Sequence, residues 1–319
     1  MRCACIDIGS NTTRLLVAEC GGDGSEAIRA SSIPGDGPLR QIAAQRRFTR
    51  LGHGRGSDGS ISAERIAAVV DAVVSQVGQA RALGADPIRA VATAAVRDAP
   101  NGAELQARIA EAAGLQVVIL SAEQEARLAF AGAAAMLGPA VSEHRLGVVD
   151  VGGGSTELVV GPPVGEPTWW ESLSLGSANL TERHLAGDPP RASEIAALRA
   201  EVDGALGSLR PPPLDRAVAV GGSATTLHRL MGGSLGDEHL QATLERLMGA
   251  PASEQASAYG MDHARARLLP AGIVLLQGVG RVLGTTLECG RGGLREGVIL
   301  AERGAATFSD PARPGAAIR

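Results

Sequence analysis

The stretch VVDVGGGSTELVV, Val148 to Val160, decides how this chain reads. An apolar run ends in Asp150, opens into Gly152-Gly153-Gly154, closes on Ser155-Thr156-Glu157 and turns apolar again. Two short apolar runs around a glycine turn predict a β-hairpin. Glycines let successive backbone N–H groups converge with no side chains in the way, and such a nest binds phosphate oxygens. CACIDIGSNTTRLLVA, Cys3 to Ala18, repeats the pattern: a strand, Asp7, the turn Gly9-Ser10-Asn11-Thr12 and a second strand. Ser10, Asn11, Thr12, Ser155 and Thr156 add donors at the two rims. An aspartate repels phosphate unless a Mg²⁺ lies between them, because that ion takes one or two carboxylates together with waters and phosphate oxygens. Asp7, Asp150 and Glu157 are therefore candidate metal ligands. For either hairpin alone, a tight turn with no ligand is the alternative.

The two aspartates lie 143 residues apart, about the length of a domain. Each half opens with a hairpin, continues through antiparallel strands and then alternates helices with strands. Apolar periodicity predicts strands at 3–8, 14–20, 27–33, 41–51, 88–93, 116–120, 145–151, 156–161, 168–173, 216–221 and 285–289. It predicts helices at 62–83, 101–113, 122–137, 178–186, 192–209, 223–231, 237–248, 262–283 and 294–306. Ser62 suits an N-cap, and Ser121 with Gln124 forms a capping-box pattern. The expected architecture is α/β, with domains at 1–122 and 123–306, the last helix belonging to the second domain or packing back on the first, and a frayed tail at 307–319. Two such domains facing across a cleft would bring both hairpins together, and interdomain clefts are where small ligands bind. A third turn, AVAVGGSATTLHRL (Ala217 to Leu230), passes from strand to helix through Gly221-Gly222-Ser223. Its free N–H groups and helix dipole make another anion site, with Gly222 and Ser223 as candidate phosphate contacts.

Composition narrows the chemistry. All thirty basic residues are arginine. The absence of lysine removes the P-loop, whose lysine reaches the nucleotide phosphates, and all Schiff-base chemistry. Aromatic residues make up 2%, which leaves few stacking platforms for bases. With a net charge of −4, this weighs against sequence-reading nucleic-acid binding. No run approaches eighteen consecutive apolar residues and the N-terminus enters a strand at once, so the expected setting is cytoplasmic, away from membranes. Cys3, Cys5, Cys20 and Cys289 lack a disulfide or metal spacing and read as cytosolic thiols. Gly54 to Gly59 spells GxGxxG, but 74–79 holds no acid where a dinucleotide site would need one, so it reads as a loop. Ser155 has no histidine in its segment to act as a nucleophile's base, and no two histidines stand at i, i+4.

Seven segments then carry a resemblance over nearly the whole chain: DIGSNTTRLLVA, VATAAVRDAPNG, LSAEQEARLAFAGA, VDVGGGSTELVV, SLGSANLTERHL, VGGSATTL and GGLREGVIL. In this order they resemble the exopolyphosphatase and guanosine pentaphosphate phosphohydrolase (Ppx/GppA) family, in its short two-domain form. The hairpins alone would fit the wider superfamily of actin-like ATPases and sugar kinases; RLGHG (50–54), ATAAVRDA and the segment around Glu125 make the match specific. The resemblance implies two actin-like (RNase H-like) domains facing across a cleft. It implies release of terminal orthophosphate from a phosphoanhydride chain, with Mg²⁺ or Mn²⁺ as cofactor, and a homodimer; whether K⁺ assists is left open. It places Glu125 as the carboxylate that activates water, with Glu123 its neighbour and competitor; a first-turn glutamate serving the helix dipole is the alternative for both. Arg97, read at the end of a strand, becomes the candidate cation on the phosphates, against a plain salt bridge to Asp98 or Glu104. Arg14 reaches either the first hairpin or solvent.

Three departures from the family pattern stand out: Ala122 for a usual glycine, Gln124 for a glutamate, and Asn179 where similar segments carry arginine. The last puts the grip on a long polyanion in question, with Arg267, Arg291 and Arg295 as possible compensation. Inorganic polyphosphate is the leading substrate, guanosine pentaphosphate (pppGpp) or a nucleoside triphosphate the second, and a kinase-like phosphotransferase a third reading with no adenine pocket or acceptor site marked. A silent sensor of polyphosphate or alarmone is the rival of another class.

Overall fold

The computed structural model describes residues 1–21, 38–137 and 145–303. The strand expected at 27–33, the tail at 307–319 and the last residues of the final expected helix lie outside them.

The first half contains β1 (Arg2–Ile8), β2 (Thr12–Cys20), β3 (Leu39–Phe48), α1 (Ala63–Ala82), β4 (Ile88–Ala92), α2 (Ala94–Arg97), α3 (Gly102–Ala113) and β5 (Val117–Ile119). Its sheet runs β3-β2-β1-β4-β5, with β1, β2 and β3 antiparallel and β4 and β5 parallel to β1. After α4 (Ala122–Leu137), the second half contains β6 (Leu146–Val151), β7 (Thr156–Gly161), β8 (Trp169–Leu173), α5 (Ser177–His184), α6 (Ala192–Leu206), β9 (Arg216–Val220), α7 (Gly221–Met231), α8 (Asp237–Met248), α9 (Ala252–Tyr259), α10 (His263–Leu283), β10 (Leu287–Cys289) and α11 (Leu294–Arg303). Its sheet, β8-β7-β6-β9-β10, has the same order and the same strand directions as the first. The repeat read from the two hairpins is thus a repeat of whole sheets.

Both sheets are covered on both faces, and so their central strands β1 and β6 are apolar between the first residue and the aspartate near the end. Ile66, Val69 and Val73 of α1 and Leu105 and Ile109 of α3 cover one face of the first sheet. Leu294, Val298 and Ile299 of α11 cover the other, against Cys3, Cys5 and Leu16. Ala126, Phe130 and Ala133 of α4 pack on the near face of the second sheet, against Val148, Val159 and Val218. The far face of the second sheet lies on α10 and its neighbours α5, α6, α7 and α8. By length and apolarity α10 could cross a membrane, but 78% of its apolar window is buried inside this core.

Helices α4 and α11 therefore form a shared middle layer, and glycine lets them touch. A methyl group on Gly132 would overlap the Gly293 carbonyl oxygen, and one on Gly297 would overlap that of Leu128. The two expected caps are present: Ser62 Oγ accepts from Arg65 N–H at 3.3 Å, and Ser121 and Gln124 exchange bonds of 2.9 and 3.1 Å. Two short helices, α2 and α9, were not expected. One consequence is that Arg97 ends a helical turn rather than a strand.

Candidate active site

Both hairpins point their carbonyl groups away from the cleft. In the first, Ser10 and Asn11 carbonyls accept from Gly52 and Arg50 N–H at 2.8 and 2.9 Å. In the second, the N-terminus of α5 takes the carbonyls: Gly152 from Ser177 N–H at 2.9 Å, Gly153 from Ala178 and Asn179 N–H at 2.9 and 3.2 Å. The Asn179 side-chain amide donates to the Gly154 carbonyl at 3.0 Å. Among the described residues no acceptor takes the N–H of Gly153 or Gly154, so these donors are left for a ligand.

The two hairpins border one cavity of about 580 Å³. Asp7, Gly9 to Thr12, Glu125, Asp150, Gly152 to Ser155, Glu157 and Gly222 all line it. Asp7 and Asp150 end the first strand of each hairpin. Burial raises both carboxyls above the usual range, with Arg14 pulling against it, and Asp150 reaches about 6. Gly221 permits the close packing at Asp150: its φ is +86°, and a Cβ there would lie 2.5 Å from Asp150 Oδ1. Glu157, opposite Asp150 in the ladder, is 3% exposed and accepts from Ser172 Oγ at 3.0 Å. Burial first, then the Glu125 and Asp150 charges, push its carboxyl well above the ordinary value.

Glu125 sits in the first turn of α4, 7% exposed. Burial lifts it to about 7, against the lowering pull of Arg97. Arg97 Nη1 donates to Glu125 Oε2 at 3.1 Å and to the Leu120 carbonyl at 2.9 Å, while its Nε lies 3.5 Å from Asp98. The structure thus places Arg97 behind Glu125 and not among the residues lining the cavity. Glu123 faces outward to Arg127.

Two other expected contacts also lie behind the lining. Thr156 Oγ1 donates to the Leu175 carbonyl at 2.6 Å, and Ser223 is buried beneath Gly272. Of the arginines considered as compensation, Arg291 and Arg295 line the cavity, whereas Arg267 is bound to the Leu185 and Gly187 carbonyls at 2.6 Å each.

Arg14 and Arg265 also line the cavity, and they meet at Gly222. A Cβ on Gly222 would lie 2.9 Å from Arg14 Nη2 and 2.6 Å from Arg265 Nη2. Arg265 is 5% exposed, its Nε has no hydrogen-bond partner, and burial followed by the Arg14 charge lowers it to about 9. Burial and the nearby Arg295 lower Arg14 as well. A buried and a half-buried guanidinium group converging on the N-terminus of α7 suit an anion. Arg265 was missed in the sequence. Its signal was a cation in the first turn of a helix, the end where the dipole disfavours one.

A divalent cation fits this donor set as a guest of the substrate. Among the described residues no three His, Cys, Asp or Glu side chains group into a protein-only metal cage. Two half-buried carboxylates, Asp7 and Asp150, beside free amide donors match the manner in which Mg²⁺ is shared with phosphates.

The chain is 31% identical to Exopolyphosphatase 2 of Mycobacterium tuberculosis over 88% of its length and 91% of that protein's. It is 30% identical to Exopolyphosphatase 1 of Mycobacterium leprae over 94% and 89%. The solved Ppx/GppA family member of Aquifex aeolicus superposes with a TM-score of 0.75 at 29% identity, covering 97% of this chain and 99% of that one. An exopolyphosphatase from Cytophaga hutchinsonii, at 21% identity and a TM-score of 0.80 over 96% and 98%, shares the fold. The two sheets are accordingly those of two actin-like domains. The Ppx/GppA phosphatase family model matches residues 31–305, and the chain belongs to that family of phosphoanhydride hydrolases.

Proposed function

We propose that the protein is an exopolyphosphatase, which cleaves the terminal phosphoanhydride bond of inorganic polyphosphate with water and releases orthophosphate. The observation that carries this reading is Glu125: a buried carboxyl raised to about 7, oriented by Arg97 and facing the amide donors of both hairpins. A base with a pKa near the working pH is best matched to proton transfer. Glu125 holds and orients the attacking water and accepts its proton as the new P–O bond forms and the anhydride P–O bond breaks. The free amides of Gly153 and Gly154, with those of Ser10 and Asn11, take the charge of the transferring phosphoryl oxygens. Arg14, Arg265 and the N-terminus of α7 hold the phosphates further along the chain. Asp7 and Asp150, with Glu157, would hold Mg²⁺, which supplies charge neutralisation at the phosphates when bound. Arg97 acts through Glu125. A cytoplasmic homodimer belongs to the same reading.

The test is orthophosphate release from polyphosphate, guanosine pentaphosphate and ATP, each with and without Mg²⁺, for the native protein and Glu125→Gln. Release from polyphosphate that collapses in the variant supports both substrate and base. Preference for the guanosine substrate keeps the mechanism and replaces the substrate. No release from any of the three by folded protein leaves only binding.

A further inference from the structure

Asn179, in the first turn of α5, stands where the two hairpins meet. Its side-chain amide donates to the Gly154 carbonyl at 3.0 Å, and its backbone N–H donates to the Gly153 carbonyl at 3.2 Å. Its Oδ1 faces the other half, 3.9 Å from where a Cβ on Gly52 would lie. Gly52 in turn donates its N–H to the Ser10 carbonyl at 2.8 Å, and so it belongs to the brace of the first hairpin. The tips themselves are in contact. A Cβ on Gly153 would lie 2.9 Å from Asn11 Cβ, and one on Gly154 would overlap Ser10 Oγ. A chain of contacts therefore runs from Asn179 through Gly154 to Ser10 and the first hairpin.

From this geometry we propose that Asn179 is a positioning residue that sets both hairpins at once. By holding the Gly154 carbonyl back toward α5, it aims the Gly153 and Gly154 N–H groups into the cleft. Through Gly154, which packs against Ser10, it fixes how closely the first hairpin approaches. Asn179 does not line the cavity, so it acts through the hairpins and not by touching substrate. This assignment rests on the hydrolase reading for its kinetic consequence, but its structural consequence stands apart from it.

The experiment compares the native protein with Asn179→Ala, Asn179→Gln and Asn179→Arg. In free protein, hydrogen–deuterium exchange is read over residues 8–13 and 150–157. Loss of a hydrogen bond worth about 1 kcal/mol predicts exchange about fivefold faster in both hairpins of Asn179→Ala, with the core strands unchanged. In hydrolysis of short and long polyphosphate, kcat falls about five- to tenfold in Asn179→Ala, KM moves less than twofold, and the ratio between the two chain lengths stays constant. Asn179→Gln, which keeps a donor, recovers part of the loss. Exchange that quickens only in 150–157 overturns the coupling. A rise in KM that grows with chain length, or is reversed in Asn179→Arg, overturns positioning in favour of a direct contact with the polyanion. A loss that disappears once rates are scaled to the folded fraction reduces Asn179 to a stabilising residue and also overturns it. Native protein that hydrolyses none of these substrates overturns the hydrolase reading, and the exchange data still decide the coupling.

Discussion

Glu125 carries two opposed influences: burial raises its pKa and Arg97 lowers it. Removing Arg97 leaves burial unopposed. In Arg97→Gln the acidic limb of the kcat–pH profile, which reports the carboxylate form of the base, moves to higher pH by about one unit. If Arg97 instead bound phosphate directly, the change would appear in KM with the limb in place. The same burial has a stability consequence. A carboxyl whose folded pKa lies near 7 and whose unfolded value is 4.5 favours folding below the unfolded value, and this contribution is lost as pH rises through 7. Glu125→Gln is therefore expected to be inactive yet more stable at pH 8, by on the order of 2 kcal/mol, with the gain vanishing toward pH 4.5; urea titrations at the two pH values measure it. At this scale the sequence is legible where function is local in the chain. Asp7, Asp150 and the glycine turns are read directly, because strand, carboxylate and turn are covalent neighbours. Arg14 and Arg265 lie about 250 positions apart, and only the fold brings their guanidinium groups together at Gly222. No periodicity records that meeting.

Among the elements, α4 has two tasks: its first turn holds Glu125, and its middle crosses α11 at Gly132. In Gly132→Ala the new methyl meets the Gly293 carbonyl, and the two helices must separate. The expected cost is about 2–3 kcal/mol in urea unfolding, with kcat reduced further than the folded fraction accounts for, because the start of α4 moves with its centre. An unchanged kcat per folded molecule would show that the first turn is held independently by the Ser121–Gln124 cap. That cap was legible, as were the long helices, since each has its own periodicity and end signals. Helix α2 spans four residues and α9 eight polar and small ones, too short to show a period of their own. The crossing of α4 and α11 was also hidden. A glycine inside a helical pattern looks like a weak point until the partner helix is seen against it.

Across the whole molecule, two exposed polar contacts join the halves: the ion pair of Arg46 with Asp262 at 2.7 Å, and His53 Nδ1 beside Glu182 at 3.1 Å. Exposed pairs of this type contribute less than about 1 kcal/mol each. Raising the salt concentration should leave the melting temperature nearly constant while KM for polyphosphate rises, because the attraction of the cleft arginines for a polyanion is screened along with the pairs. Orthophosphate-release assays across a salt series, set beside thermal melts, check this. The last feature with a consequence is α11, which covers β1 and β2 from the opposite end of the chain. About 255 residues separate the end of β3 from the end of α11, so a ribosome working at 5–20 residues per second needs roughly 10 to 50 seconds to supply that cover. Throughout this interval the first sheet is born with one oily face bare, and Cys3 and Cys5 lie on it. A ribosome-bound nascent chain arrested before residue 294 should therefore react with a thiol reagent at both cysteines, and the released full-length protein at neither. The two thiols thus time the moment at which the two ends of the polypeptide come together.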